Sequence, residues 1–179
     1  MAILQIIYGY HPIFKKKAEK FSEINQDAKD IAELMLNTMY HERAVGIGAN
    51  MVGILKRIIV IDLLENGEKN PIIAFNPEII EKSTEMQSFE EASISFPGII
   101  TVISRPNKIK LKYQDLEGNE KLIDAEGFLA SVIQHEIDYL DGITIFDHVS
   151  KLRKDTLLKK MEKHLKMYPP HIHSASCSH

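Results

Sequence analysis

Cysteine and tryptophan, two residues that often organise small proteins, are nearly absent: the 179-residue chain has one cysteine, Cys177, and no tryptophan. A lone thiol excludes an internal disulfide framework, so the fold must be held by an apolar core, and a reducing, cytoplasmic setting is the simplest expectation. No stretch approaches the ~20 consecutive apolar residues that cross a bilayer, so membrane association is not expected. The opening Met1-Ala2-Ile3-Leu4-Gln5-Ile6-Ile7 lacks a basic start, a long apolar run and a small-residue cleavage site, and is expected to be a first strand rather than a targeting segment. A cationic excess is missing too. The net charge of −3 excludes a whole-protein field that would draw nucleic acid.

The remaining 44% hydrophobic content suits one domain, and a single monomeric unit over residues 1–167 is expected. Residues 168–179 have no apolar periodicity and read as a mobile tail. The tail's histidines and Cys177 are at most adventitious metal donors.

Taken in order, residues 11–23 read as a loop around His11-Pro12. From Asn25 to about Arg43, Ala28, Ile31, Ala32, Met35 and Met39 recur at helical spacing. Ala44 to Gly53 is a small-residue loop whose simplest role is close packing of chain on chain. Arg57 to Leu64 is a strand ended by the Glu65-Asn66-Gly67 turn. Short strands are expected at Pro71–Pro77, Glu78–Lys82 and Thr84–Phe89. Glu91 to Gly98 then reads as a small-residue segment ending in a Pro97-Gly98 turn. Strands return at Ile99–Ser104, Lys108–Tyr113 and Lys121–Asp124, the last two joined by a hairpin over Asp115 to Asn119. Helices before and after antiparallel strands predict an α+β fold.

Two helices close the chain. In the last, roughly Ser150 to Met167, Leu152, Leu157, Met161 and Leu165 are expected on one side, with lysines opposite. Residues 151–166 hold seven Lys/Arg against two Asp/Glu, a local positive excess on an acidic chain. That face is a solvated surface or a docking surface for RNA or an acidic partner.

The helix before it carries the chemistry. Phe128, Leu129, Val132, Ile133, Ile137 and Leu140 form its apolar pattern, and Asp141-Gly142 its stop. Ser131, Gln134 and Asp138 form a polar stripe, while Glu136 falls among apolar residues, where a carboxylate is costly unless paired. His135 and position 139 lie one turn apart, the spacing by which a His-Glu-x-x-His helix holds a metal with two imidazoles and uses the Glu as acid/base. Position 139 is tyrosine. This is a metal-site helix with an altered ligand, or an ordinary helix.

Three collinear segments resemble the peptide deformylase family over residues 1 to about 166. The family's Gly-x-Gly-x-Ala-x-x-Gln falls on Ala44, Gly46, Gly48, Ala49 and Met51. Its Glu-Gly-Cys-Leu-Ser falls on Glu91-Ala92-Ser93-Ile94-Ser95, and its Gln-His-Glu-x-Asp-His-Leu-x-Gly on Gln134 to Gly142, with Tyr139 the one departure. The resemblance implies a deformylase fold with antiparallel sheets around the His-Glu helix, and removal of the N-formyl group from the initiator Met of nascent proteins.

It also implies a divalent metal, usually Fe2+ with Zn2+ or Ni2+ as substitutes, on the positions of Ser93, His135 and Tyr139. Glu136 would be the general acid/base, and Met51 and the Ile94 backbone N–H would stand at the oxyanion. Gly46 and Ala92 would pair with the peptide backbone. A hydroxyl is a poor substitute for a thiolate, and a phenol with pKa near 10 for an imidazole. Methionine offers the oxyanion no donor.

Three expectations follow. The first is a deformylase-like protein with no bound metal and impaired or absent catalysis, still binding nascent or formylated peptides and contacting the ribosome through helix 151–166. The second is an active hydrolase with a rearranged site, using Glu136 with weak metal at His135, or Ser93 as a nucleophile activated by His135. The third is a polar cluster in which Tyr139 hydrogen-bonds Glu136, Ser93 or His135, with the pKa of a buried Glu136 raised.

Overall fold

A computed structural model describes residues 1–171. Three helices and seven strands alternate in an α+β arrangement: α1 (Gln26–His41), β1 (Gly46–Gly48), β2 (Ile58–Ile61), β3 (Ile72–Lys82), β4 (Met86–Ser93), β5 (Phe96–Pro106), β6 (Lys108–Gln114), β7 (Glu120–Glu126), α2 (Gly127–Leu140) and α3 (Lys151–Met167). One sheet has the order β1-β2-β3-β6-β7; β4 and β5 form a separate hairpin, and all the strand pairs are antiparallel.

The helices start where their capping chemistry directs. The Asn25 side chain accepts a hydrogen bond from the Ala28 N–H at 3.0 Å and opens α1. Ser150 does the same for the Arg153 N–H at 3.2 Å and opens α3. Ile58-Ile59-Val60-Ile61 is a continuous apolar run because β2 is covered on both faces. Ile58 and Val60 join Met35 and Met39 of α1 in one core cluster, while Ile59 and Ile61 join Ile133, Ile137 and Leu140 of α2 in another. Helix α2 is thus interior, with ten of its fourteen residues buried.

Several expectations need correction. Residues 1–8 form no strand. Their backbone is held at scattered points: the Leu4 N–H bonds Thr38 Oγ1 (2.8 Å) and the Ile7 N–H bonds the Met51 carbonyl (2.8 Å). An apolar run reads as a strand only if a partner offers a ladder, and none runs alongside it. Within residues 11–23, Pro12–Lys15 forms a 3-10 turn.

The Ala44–Gly53 loop contains β1 and a 3-10 turn, Ala49–Val52. Its glycines have no strand propensity of their own and become extended by pairing with Ile59, Val60 and Ile61 of β2. The strands expected at 71–77 and 78–82 are one bulged strand. Asn76, at φ 50°, sits at the irregularity, and its amide bonds both the N–H and the carbonyl of Phe21 (2.8 and 2.9 Å).

Pro97-Gly98 lies inside β5, and the chain reverses instead at Ile94-Ser95, between β4 and β5. Leu152 is 78% exposed while Leu157 and Met161 are buried, since five residues of helix place it about 140° round from Leu157. The tail expected to be mobile lies, from residue 172 onward, outside the described residues.

Candidate functional site

Helix α2 sets the floor of the site. His135, Glu136 and Tyr139 are all buried. Facing them are β1, which pairs with β2, and β4, which pairs with β5, so among the described residues one edge of each is unpaired. Gly46 of β1 and Ala92 of β4 both line a cavity of about 420 Å3, walled by Arg43, Val45, Ile94, Phe128 and Val132, with Met51, Ser93, His135 and Glu136 deeper in.

Glycine in β1 is a packing requirement. A Cβ on Gly46 would lie 3.0 Å from Glu136 Oε1 and 3.2 Å from Val132 Cγ1, and one on Gly48 would lie 3.2 Å from the Glu136 carbonyl oxygen. The close chain-on-chain packing expected of this loop is therefore present, and it is packing against Glu136.

The polar groups of the floor form one network. Arg105 grips Glu91 through Nε (2.7 Å) and Nη2 (2.9 Å), and reaches Asp138 through Nη1 (2.8 Å). His135 Nδ1 is 2.7 Å from Glu91 Oε1, and His148 Nε2 is 2.8 Å from Asp138 Oδ2. Burial pushes the Glu91 carboxyl up, but the hydrogen bonds from His135 and Arg105 outweigh it and hold the pKa at about 2. The stripe expected on α2 is bonded throughout, with Ser131 and Gln134 buried and Asp138 half-buried: Gln87 Nε2 donates to Ser131 Oγ (2.9 Å), and Gln134 Nε2 to the Pro106 carbonyl (3.0 Å).

Tyr139 departs from this pattern. Its ring, 1% exposed, stacks on Phe96 at 6.1 Å and meets Phe14 edge-on at 5.6 Å. Its hydroxyl donates to Ser93 Oγ at 2.7 Å. Ser93 Oγ also accepts the Ser95 N–H at 3.2 Å. Burial raises the Tyr139 pKa well above its ordinary value against the lowering effect of the Ser93 bond, so the group there is a neutral phenol. Of the three partners expected for Tyr139, the structure selects Ser93.

Glu136 is the exception to the network. Its Oε2 is enclosed and, among the described residues, has no hydrogen-bond partner at bonding geometry. Burial drives its pKa up to about 7, against the lowering influence of His135 and the Gly48 N–H. The raised pKa expected of a buried Glu136 is therefore present.

This donor set does not fit a divalent metal. The three positions hold one imidazole and two neutral hydroxyls already bonded to each other, and the tyrosine ring is packed against Phe14 and Phe96. Among the described residues, no group of three or more His, Cys, Asp or Glu side chains is placed to hold a metal ion. Ser93 and His135 make no hydrogen bond to each other, their bonds running to Tyr139 and Ser95 and to Glu91. The Ser-His geometry expected of an activated nucleophile is therefore not formed. Met51, 1% exposed, offers no donor.

Two arginines were missed in the sequence. Arg105 had a readable signal: it continues the inward alternation Ile99, Thr101, Ile103 of β5, where a charge must be paired. Arg43 had none. It follows the end of α1 with φ 55°, where glycine is usual, and makes no ion pair among the described residues.

A His-Glu helix beneath a cavity is an architecture found in hydrolases. A polypeptide deformylase family model matches residues 3–155. A peptide deformylase-like protein of Rickettsia conorii is 54% identical over 98% of this chain and 96% of its own length. The peptide deformylase of Phenylobacterium zucineum is 36% identical over 93% and 99%. In three dimensions the chain superposes on the peptide deformylase of Ehrlichia chaffeensis in complex with actinonin with a TM-score of 0.87, at 31% identity over 95% of this chain and all of that one. It matches that of Legionella pneumophila equally well, at 32% identity over 94% and 100%. The chain belongs to the peptide deformylase family, whose members are metal-dependent amide hydrolases.

Proposed function

We propose that this chain is a cytoplasmic deformylase-fold protein that binds peptides without hydrolysing the formyl group. The observation that carries the reading is the Tyr139–Ser93 hydrogen bond, 2.7 Å long and buried. It joins two of the positions the family uses for metal and satisfies both with each other. Without a bound metal there is no activated water for Glu136 to serve. Met51 also removes an oxyanion donor of a kind worth about 10²- to 10³-fold in rate.

The peptide-binding part of the site is intact. An extended segment between β1 and β4 would complete two strand edges through main-chain hydrogen bonds, which need neither metal nor side-chain chemistry. Gly46 and Ala92 are small enough to let its backbone approach, and the apolar walls accept side chains.

The basic helix supports a second contact. Leu157 and Met161 hold α3 to the body, and Lys151, Arg153, Lys159, Lys160, Lys163 and Lys166 are exposed without ion pairs among the described residues. Such a face suits the phosphates of ribosomal RNA. Docking there would bring the pocket to emerging nascent chains. Salt-sensitive co-sedimentation with ribosomes, lost in a Lys159→Glu/Lys163→Glu variant, is the expected result.

Metal content after oxygen-free purification, measured beside turnover of a formyl-Met peptide, tests the main reading. Trace metal and no turnover are expected. One tightly held ion per chain together with turnover would overturn the proposal, and would favour the rearranged hydrolase using Glu136 and His135.

A further inference from the structure

Helix α1 ends in a Schellman turn: the Arg43 N–H donates to the Tyr40 carbonyl (3.2 Å) and the Ala44 N–H to the Met39 carbonyl (3.0 Å). The turn holds Arg43 at φ 55°, a conformation that suits glycine and costs any residue with a β-carbon. Its side chain is exposed, lines the cavity and makes no hydrogen bond or ion pair among the described residues. A cation near a helix C-terminus is favourable, but position 42 offers that in ordinary helical backbone. An arginine at 43 therefore costs stability with no contact inside the protein to offset it, and strain held in this way points to a ligand. On the β4 side of the same cavity, Glu90 is also exposed and without an ion pair among the described residues. The rim thus carries an uncommitted cation beside β1 and an uncommitted anion on β4.

Resting on the peptide-binding reading above, we infer that Arg43 sets the specificity of the pocket, selecting peptides that bring a carboxylate to its guanidinium. A guanidinium presents paired N–H donors in a fixed fork that matches a carboxylate bidentately. Its backbone is pinned by the Schellman turn, so the charge is placed before the ligand arrives. The span from Gly46 to Arg43 is at most about 11 Å of extended chain, so a peptide of about three residues laid beside β1 covers it. The carboxylate is then an Asp or Glu side chain near the third residue, or the C-terminus of a short peptide, which presents the same group. Glu90 repels a carboxylate from the β4 rim, so the acidic group is read on the β1 side. A lysine brought to Arg43 meets a like charge and is disfavoured.

Isothermal titration of the full-length protein with the amides of formyl-Met-Ala-Glu, formyl-Met-Ala-Gln and formyl-Met-Ala-Lys, and with formyl-Met-Ala-Gln as the free acid, tests this. At least one of the two carboxylate-bearing peptides is expected to bind about threefold to tenfold more tightly than the glutamine amide, as a partly exposed bidentate pair allows. The tighter of the two identifies the source of the carboxylate. The lysine amide is expected to bind most weakly, and the spread should narrow as salt rises. Arg43→Glu, checked for native circular dichroism, is expected to reverse the order in favour of lysine while leaving the glutamine amide unaffected. Equal binding of all four, tightest binding of the lysine amide, or a preference that survives Arg43→Glu overturns the inference and leaves peptide binding standing. Binding of none overturns both. Should the variant not fold, the order of the four peptides on the unaltered protein still decides.

Discussion

The Tyr139 hydroxyl donates to Ser93 Oγ across 46 residues of sequence, at 2.7 Å and out of contact with solvent. This bond ties α2 to the end of β4 at the centre of the site. It also explains how a tyrosine is accommodated at the position that the family resemblance assigns to a histidine. The ring is absorbed by Phe14 and Phe96, and the polar tip has a partner.

Tyr139→Phe keeps the ring packing and removes the donor. Ser93 Oγ would retain only the Ser95 N–H. A loss of about 1–3 kcal/mol is expected, read as a lower urea midpoint with unchanged slope. Tyr139→Ala should cost more, about 3–5 kcal/mol, because it opens a cavity among the aromatic rings.

Ser93→Cys, Tyr139→His and Met51→Gln together supply a thiolate, a second imidazole and an amide donor to a backbone that superposes on solved peptide deformylases. Stoichiometric metal binding is the expected outcome, measured by elemental analysis of the purified variant. Failure to bind would mean that the pocket backbone has moved.

Arg105→Met leaves the buried Glu91 and the half-buried Asp138 without their shared cation. Removing one partner from such a network costs about 3–5 kcal/mol. The thermal midpoint should fall by several degrees, and a companion Glu91→Gln change should recover part of the loss.

Arg43→Gly is expected to stabilise the protein by about 1 kcal/mol, since it relieves a left-handed conformation that β-carbon-bearing residues adopt at a cost. Chemical denaturation reads the change. If the arginine is held there for ligand binding, peptide affinity falls as stability rises.

Two carboxyls give opposite pH slopes. Burial raises the Asp62 pKa, but hydrogen bonds from the Tyr40 hydroxyl and the Leu64 and Asn70 amides outweigh it and lower it overall. Its contribution is present above the unfolded pKa of about 3.9 and lost as pH falls through the folded value. Glu136 runs the other way. Because its pKa is raised to about 7, the folded state holds the proton longer than the unfolded chain. Stability should fall as pH rises from about 4.3 towards 7. Glu136→Gln should flatten the neutral slope, and Asp62→Asn the acidic one, in denaturation curves taken across that range.

Local pattern made the three helices, the β2 run, the β6–β7 hairpin and the three family motifs legible, because apolar periodicity and capping residues act over a few positions. Asn25, Ser150 and the spacing of Met35 and Met39 need no distant partner to be read. The departures at Met51, Ser93 and Tyr139 were equally visible, since each is a change of chemistry at a known place in a motif.

Pairing was not legible. The Met1–Tyr8 segment has strand-like residues and no ladder, whereas Gly46–Gly48 has no strand-like residues and becomes a strand because β2 lies beside it. The choice of Ser93 as partner for Tyr139, the sharing of Arg105 between Glu91 and Asp138, and the isolation of Glu136 Oε2 belong to the same class. Each depends on which buried groups the assembled fold brings within about 3 Å, over separations where chain order carries no information about distance. Sequence named the groups that had lost their original task, and tertiary packing decided which found new partners and which one did not.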